Sequence, residues 1–198
     1  WTEKDLGEDR TCPICGREVT YVEEKNYFFK MSEWQDALVK QIQDNPDWIV
    51  PEIRKNEILS FLKQPLGDLS ISRPKSRLSW GIDLPFDRDH VAYVWVDALI
   101  NYLTASGAID PSRADGEQGF EDVALSWWPA DMHLVGKDIL TTHSVYWPTL
   151  LMGVGLPVPR QILAHGWWVV GETKMSKSLG NVVDPLMLRD TFGTDAVR

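Results

Sequence analysis

Two lysines near the end of the chain, Lys174 and Lys177, are three residues apart in a glycine-flanked segment with the sequence Lys174-Met175-Ser176-Lys177-Ser178. Lysine carries a compact charge on a flexible stem, so two lysines on a loop can follow phosphate charge as it redistributes during a reaction. Each well-placed donor stabilises such a transition state by about 3 kcal/mol. A pair of lysines is more often part of a solvated surface loop, so this spacing alone leaves both interpretations open.

A glycine and a carboxylate follow the apolar run of residues 132–135. Gly136 lets the backbone approach a ligand closely, and Asp138 is the kind of acceptor that binds ribose hydroxyls. A carboxylate at the start of a helix also serves as a cap. The sequence therefore indicates either a nucleotide contact or a helix cap at Asp138.

Three residues at four-residue spacing follow this point: Ile139, His143 and Trp147. On a helix they share one face, which presents an aliphatic group, an imidazole and an indole. A buried core stripe is the usual meaning of such a pattern.

The two cysteines form one short motif, Cys12-Pro13-Ile14-Cys15-Gly16. A tight turn of this kind presents two thiolates, which is half of a structural zinc site with four ligands. A redox pair with the same spacing normally opens a helix, whereas residues 17–22 alternate like a strand. The motif therefore favours half a zinc site at Cys12 and Cys15.

Two helices are predicted before the segments that could do chemistry. The first has a capping box at residues 32–35 and apolar residues at four-residue spacing up to Asn45-Pro46. The second starts with Pro51 at its first position and ends at residues 65–67. Both are expected to be scaffold.

From about residue 68 the pattern alternates between strands and helices. Strands are predicted at residues 90–96, 132–135 and 161–165, with helices starting at a capping Asp97 and at Lys137. Strand, helix and strand in this order predict a parallel sheet covered by helices. Ligands bind beyond the carboxyl ends of such strands, so residues 95–97, 136–138 and 165–167 predict a nucleotide site.

Several segments resemble the class I aminoacyl-tRNA synthetases, and within that class the methionyl-tRNA synthetase family. The lysine segment is similar to the second signature of the class. The family's further segments are matched, in its order, by residues 68–73, 79–82, 93–98 and 136–139 together with His143, Trp147 and Pro148.

This resemblance implies an α/β fold: the second half of a Rossmann-like parallel sheet, with a small zinc-knuckle and helical insertion. Residues 1–66 are then the end of the connective insertion, and residues 67–198 are the second half of the catalytic domain with the lysine loop. The remaining zinc ligands are expected upstream of Trp1.

The resemblance also implies the roles of individual residues. Lys174 and Lys177 would be catalytic, and ATP with its Mg²⁺ would be bound by Gly136, Asp138, His165, Lys174, Met175, Ser176, Lys177 and Ser178. Methionine would be bound by Trp95, Ala98, Leu99, Tyr102, Ile139, His143 and Trp147. The expected reaction is activation of methionine with ATP, followed by its transfer to tRNA.

Two alternatives stay open. One is a leucyl, valyl or isoleucyl synthetase, although residues 136–148 favour the methionine family. The other is a non-catalytic binding module, either a half that works by association with a missing half or a zinc-knuckle interaction domain, and an unpaired edge of the parallel sheet would indicate it. We expect a fragment, since the chain opens without Met and ends at the start of a helix. We expect it to be inactive by itself, because no segment matches the His-Ile-Gly-His-like element of the class.

Composition limits the compartment and the partners. The chain has 198 residues, 43% hydrophobic, and no apolar run of the roughly 20 residues that span a bilayer. We expect a globular protein without a membrane partner, in the cytoplasm or an organellar matrix. The net charge of −9 argues against non-specific nucleic-acid binding, so tRNA is expected to bind locally and mostly through parts outside this chain.

Overall fold

The computed structural model describes residues 6, 11–12, 17–21, 23–108, 127–175 and 180–197. The chain divides into two compact units, residues 1–28 with 70–94 and residues 29–69 with 95–198. The boundary predicted between residues 66 and 67 concerns the start of the catalytic domain, and it stays a prediction.

The secondary-structure elements are short and alternate along the chain. The strands are β1 (Phe28–Phe29), β2 (Ile49–Val50), β3 (Leu69–Ser70), β4 (Ser72–Pro74), β5 (Asp83–Leu84), β6 (Asp87–Ala92), β7 (His133–Gly136), β8 (Ile162–His165), β9 (Val169–Val170) and β10 (Thr173–Lys174). The α-helices are α1 (Gln35–Asp44), α2 (Glu52–Phe61), α3 (Val94–Ala105), α4 (Trp147–Gly153), α5 (Pro185–Phe192) and α6 (Thr194–Val197).

The unit of residues 29–69 and 95–198 contains a parallel sheet with the strand order β2-β8-β7. Gly136 at the end of β7 is the register partner of His165 at the end of β8. Between these strands the chain forms a 3-10 turn (Lys137–Ile139), a π-helical turn (Thr142–Tyr146) and α4. The predicted strand–helix–strand crossover is therefore present.

Two apolar clusters support this sheet and the helices around it. In the first, Leu38 and Ile42 of α1 and Ile58 of α2 pack with Ile49 and Ile162 of the sheet. Burial contributes about 1.5–3 kcal/mol for each large apolar side chain. The second cluster joins α3 to α4 and contains Leu99, Leu103, Ala108, Trp128, Trp147, Leu151 and Leu156.

The unit of residues 1–28 and 70–94 contains an antiparallel sheet with the strand order β4-β6-β5. Gly81 has a φ of +137°, and a Cβ at this position would lie 3.1 Å from Val91. Asp87 accepts hydrogen bonds from the Tyr27 hydroxyl and the His90 ring, which ties residues before the sheet to β6. Glycine is thus required where the chain passes close to Val91 of β6.

Some predictions about the elements are wrong. The strand predicted at residues 90–96 does not belong to the parallel sheet. The observed strand, β6, ends at Ala92 and pairs antiparallel with both β4 and β5. A two-residue turn joins β5 to β6, and such a short connection allows only antiparallel pairing between them. Trp95 and Asp97 consequently lie in the first turn of α3 instead of at a strand end, and Asp97 is not its cap.

The predicted caps of the first two helices also differ from the structure. The Ser32 hydroxyl donates to Asp68 at 2.6 Å instead of capping α1, whose N-cap is Trp34 without a side-chain bond. Pro51 is the N-cap of α2 and not its first helical residue, which is Glu52. Ser32 is therefore used in a tertiary contact instead of a local one.

Strand β2 was not predicted from the sequence. Ile49 and Val50 of this strand pair in parallel with Ile162 and Leu163 of β8. Beside this pairing the Trp48 indole donates to the Pro159 carbonyl at 2.7 Å. The sequence did not reveal β2 because its partner strand is far away along the chain.

No helix in the described part of the chain is long and apolar enough to cross a lipid bilayer.

Candidate functional site

The carboxyl ends of β7 and β8 lie side by side and bring three of the predicted ligand residues together. A Cβ built on Gly136 would lie 2.5 Å from Asp138 Oδ1 and 3.8 Å from the His165 ring. The Asp138 carboxylate therefore folds back over the backbone of Gly136. A side chain at position 136 would displace that carboxylate from its present position.

Asp138 does not act as a helix cap. It lies within the 3-10 turn whose N-cap is Gly136, and that cap makes no side-chain hydrogen bond. The Asp138 side chain is exposed, and it accepts no hydrogen bond from any residue that the structure describes. An acceptor is thus available at the edge of the sheet where ligands of such folds bind.

A cation–π contact lies beside this edge. The Lys137 ammonium is 3.8 Å from the centre of the Trp167 ring. The contact connects the end of β7 to the segment that follows β8. Such contacts stabilise by about 0.5–1 kcal/mol when exposed, so this one contributes to the position of the segment leading to the lysines.

The predicted aromatic residues meet between α3 and the π-helical turn, which starts four residues after Asp138. The Tyr102 hydroxyl lies 2.9 Å from His143 Nε2, and the two ring centres are 5.7 Å apart. The Trp147 ring centre lies 6.0 Å from that of Tyr102. His143 is 2% exposed and Trp147 is 1% exposed, whereas Tyr102 is partly open to solvent.

The hydrogen bonds of His143 fix the position of its proton. His143 Nδ1 lies 3.0 Å from the Ile139 carbonyl oxygen, which can only accept, so Nδ1 donates. In the neutral ring Nε2 has no hydrogen and accepts from the Tyr102 hydroxyl. The Tyr102 oxygen then keeps its lone pairs for any further partner.

Burial keeps this group of side chains neutral. Loss of hydration lowers the pKa of His143, although the bond to the Ile139 carbonyl opposes the change. Burial also raises the pKa of the Tyr102 hydroxyl. At neutral pH this aromatic group is therefore uncharged, which suits contact with an apolar, polarizable ligand.

The other residues predicted for the amino-acid pocket lie on α3. Trp95, Ala98 and Tyr102 are spaced to share one face of that helix, and Ala98 is exposed. Leu99 is buried in the second apolar cluster together with Trp147. Its predicted role toward methionine stays a prediction.

Two further members of the aromatic group, His133 and Trp128, were not predicted from the sequence. His133 accepts a hydrogen bond from the Trp147 indole at 3.2 Å, and its ring centre is 4.5 Å from that of Tyr102. Trp128 lies 5.7 Å from Trp147 between ring centres. Alternate residues of β7, His133 and Val135, are buried, and this period of two was the signal available for His133.

The predicted lysine segment begins in a hairpin. β9 and β10 pair antiparallel, with Val169 opposite Lys174, and Gly171 in the turn has a φ of +62°. The Met175 amide donates to the Trp168 carbonyl at 3.0 Å, and the Met175 sulfur accepts from the Val183 amide at 3.4 Å. These contacts fix Met175, the second residue of the segment.

The remaining residues of that segment, Ser176, Lys177 and Ser178, lie outside the described residues. Lys174 is placed by its backbone in β10. The roles of Lys174, Ser176, Lys177 and Ser178 toward phosphate stay predictions. His165 is described: it is exposed at the end of β8, and its Nδ1 lies 2.6 Å from the Gly166 carbonyl oxygen.

The cysteine motif is described in part. The Cys12 amide donates to the Arg17 carbonyl at 2.8 Å, and Thr11 and Glu18 form an antiparallel bridge. Cys15 lies outside the described residues. Among those that are described, no three metal-ligating side chains come together.

Comparisons with known proteins give one consistent result. Residues 2–198 match the profile of a family described as tRNA synthetases class I (M). The chain is 53% identical over 199 residues to the methionine--tRNA ligase of Clostridium acetobutylicum, covering 100% of this chain and 29% of that protein. It is 46% identical over 202 residues to the same-named protein of Thermotoga maritima, covering 100% of this chain and 30% of that one.

A solved structure is also similar. The methionyl-tRNA synthetase of Mycobacterium tuberculosis, in a crystal structure bound by methionyl-adenylate, aligns with a TM-score of 0.77 and 45% sequence identity. The alignment covers 94% of this chain and 35% of that chain. The chain thus spans about a third of the length of the proteins that it matches.

Proposed function

The chain belongs to the family of class I tRNA synthetases (M), as its sequence predicted, and from this membership we propose that it forms part of a methionine–tRNA ligase. The reaction is the activation of methionine with ATP to methionyl-adenylate, followed by transfer to tRNA. The observation that carries the proposal is the neutral aromatic group of Tyr102, His143 and Trp147. A hydrogen bond from His143 Nδ1 to the carbonyl of Ile139, the residue after Asp138, connects this group to the end of β7.

The aromatic group suits the methionine side chain. A thioether is long, flexible and polarizable, and each sulfur–aromatic contact is worth about 0.3–1.5 kcal/mol. The rings of Tyr102, His143 and Trp147 would contact the side chain. The residues around it would be Trp95, Ala98 and Ile139. The sulfur needs no charged partner, which agrees with the lowered pKa of His143.

The strand ends suit the nucleotide. Gly136 leaves room for backbone approach, and the uncommitted Asp138 carboxylate would accept from the ribose hydroxyls. His165 lies across from Gly136 on β8 and would border the same nucleotide. A side chain at position 136 would displace the Asp138 carboxylate. Glycine at this position leaves that carboxylate in place to accept from a ligand, which supports a ligand contact at this edge.

The lysine segment would act on the phosphates. The methionine carboxylate attacks the α-phosphorus of ATP, and the bond to the departing pyrophosphate breaks. Lys174 and Lys177 would stabilise the charge that develops on the phosphates, with Met175, Ser176 and Ser178 as the loop that carries them. Mg²⁺ bound to ATP supplies further positive charge, and catalysis rests on positioning and electrostatic stabilisation.

The cysteine motif would serve a structural purpose. Cys12 and Cys15 would supply two thiolates to a zinc ion that takes two further ligands. The hydrogen bond from the Cys12 amide to the Arg17 carbonyl brings the two sides of this motif together, which supports the proposal. The compartment that we propose is the cytoplasm or an organellar matrix, where tRNA, methionine and ATP are available.

Exchange of labelled pyrophosphate into ATP by the whole protein tests this proposal. We expect exchange that depends on methionine and not on leucine, valine or isoleucine. Exchange with one of those amino acids would favour another synthetase of the class. A protein that exchanges with none of them, although folded, would favour a non-catalytic role.

A further inference from the structure

His133 occupies the centre of the aromatic group, yet the proposed function assigns it no role. It is the first residue of β7 and is 6% exposed. Its ring centre lies 4.5 Å from that of Tyr102, 6.0 Å from that of Trp128 and 5.8 Å from that of His143. A change at this position therefore reaches several of the rings at once.

The partner of His133 determines its protonation. The Trp147 indole nitrogen can only donate, and it lies 3.2 Å from His133 Nε2. Nε2 must therefore be free of hydrogen, so the neutral ring carries its proton on Nδ1. Burial and the nearby His143 lower the pKa of His133 to about 4, which keeps the ring neutral at physiological pH.

We propose that His133 is a positioning residue for the amino acid: it holds the Trp147 indole by accepting its N–H and supports the Tyr102 ring by contact. The inference rests on the proposed function, because it assumes that these two rings contact methionine. His133 itself acts through Trp147 and Tyr102.

The energetic reason lies in the burial of Trp147. A buried indole N–H without an acceptor is unfavourable, so loss of the His133 acceptor shifts the ring toward another orientation. Trp128 packs edge-on against Trp147. Its indole nitrogen can only donate, and it donates to the Pro157 carbonyl, so this nitrogen cannot accept the Trp147 N–H. Gly136, at the other end of β7, takes no part in the bond between His133 and Trp147, so we expect the edge at Gly136 to keep its structure when that bond is lost.

Three variants of the whole protein test the inference. His133→Leu removes the acceptor. His133→Gln retains an amide that reaches the place of Nε2, whereas the amide of His133→Asn is one methylene shorter and reaches only the place of Nδ1. The Gln and Asn variants are a matched pair, because both keep a polar side chain at the same position.

The readout is methionine-dependent pyrophosphate exchange. We expect His133→Leu and His133→Asn to raise the methionine KM about tenfold, with the KM for ATP and kcat within about twofold of wild type. We expect His133→Gln to stay within about twofold of wild type in all three quantities.

The contrary results are distinct. An unchanged methionine KM in folded His133→Leu would overturn the inference, as would a tenfold rise in His133→Gln. A lower kcat together with similar rises in the KM for methionine and the KM for ATP would indicate a general structural role for His133, and this result would also overturn the inference. If His133→Leu does not fold, the matched pair decides, and equal methionine KM values for Gln and Asn would overturn the inference. Wild-type protein without methionine-dependent exchange would refute the proposed function instead.

Discussion

At the scale of single residues, the pocket shows how hydrogen bonds set proton positions. The Ile139 carbonyl requires a proton on His143 Nδ1, and this leaves Nε2 to accept from Tyr102. The Trp147 indole imposes the same tautomer on His133, because its N–H requires an unprotonated Nε2. Burial lowers the pKa of both imidazoles, so both are neutral at physiological pH.

Gly136 gives the sharpest prediction for the nucleotide edge. In Gly136→Ala the new Cβ would lie 2.5 Å from Asp138 Oδ1, so the carboxylate must move. We expect the KM for ATP to rise about tenfold or more, since a displaced ligand group loses about 1–3 kcal/mol of hydrogen bonding. Pyrophosphate exchange measured as a function of ATP concentration gives this KM.

Gly67→Ala is the matched control, because a Cβ at Gly67 meets nothing within 4 Å. Its KM for ATP should equal that of wild type. If Gly136→Ala behaves like Gly67→Ala, the strand end does not contact the nucleotide.

Acid should destabilise the fold through the buried histidines. The pKa of His133 is lowered to about 4, whereas an unfolded histidine titrates near 6.5. Between these values the unfolded state binds more protons, so the free energy of unfolding falls as pH decreases from about 6.5 to about 4, by at most about 3 kcal/mol for this group. Urea unfolding at several pH values measures the slope.

The same series with His133→Gln separates this effect from the titration of other groups. His143, whose pKa is also lowered, contributes in the same direction and remains in the variant. The variant should therefore show a shallower loss of stability between about pH 6.5 and 4, but not a flat profile. Equal slopes for the two proteins would mean that His133 does not carry the effect.

Sequence could predict a part of this pocket. The four-residue spacing predicted that His143 and Trp147 share a helical face, and in the structure both contact Tyr102. Sequence could not reveal the role of His133, because its bond to Trp147 depends on how β7 packs against the following helix. Pairing between side chains of different elements is decided by tertiary packing.

At the scale of elements, α2 connects burial with stability. Ile58 is 1% exposed and Ile53 on the same helix is 65% exposed. We expect Ile58→Ala to lower the free energy of unfolding by about 2–5 kcal/mol, because it leaves a cavity in the first apolar cluster. Ile53→Ala should change it by less than about 0.5 kcal/mol.

Urea denaturation of both variants measures the difference. Similar midpoints for Ile58→Ala and wild type would show that α2 does not pack on the sheet as described.

The limits of sequence analysis are clearest for the strands. β7 and β8 were predicted because each is an apolar run that leads into a segment of candidate ligand residues, 136–138 after β7 and 165–167 after β8. The residues of β2 form a short pair between helices, and only pairing with β8 makes them a strand. β6 was predicted as a strand of the parallel sheet, but its two-residue turn to β5 places it in an antiparallel one.

At the scale of the whole molecule, the candidate site belongs to one of the two units. One unit contains the antiparallel sheet, and the other contains the parallel sheet, the aromatic group and the strand end at Gly136 and Asp138. In the proposed reaction the second unit would therefore hold both the amino acid and the ribose. The lysine segment follows directly from the hairpin of the same unit.

The lysine segment provides a prediction at this scale, because it must reach the bound substrates. We expect Lys177→Ala to lower kcat for pyrophosphate exchange about 10²–10³-fold, since a donor to the phosphates is lost in the transition state. Lys63→Ala, at an exposed position after α2, is the control and should leave kcat unchanged. Equal rates for both variants would remove Lys177 from the mechanism.

The most direct test is a crystal structure of the whole protein with a stable analogue of methionyl-adenylate. We predict that the thioether lies against Tyr102, His143 and Trp147, and that the ribose hydroxyls donate to Asp138. An analogue whose side chain lies elsewhere, or whose ribose does not contact Asp138, would contradict the account.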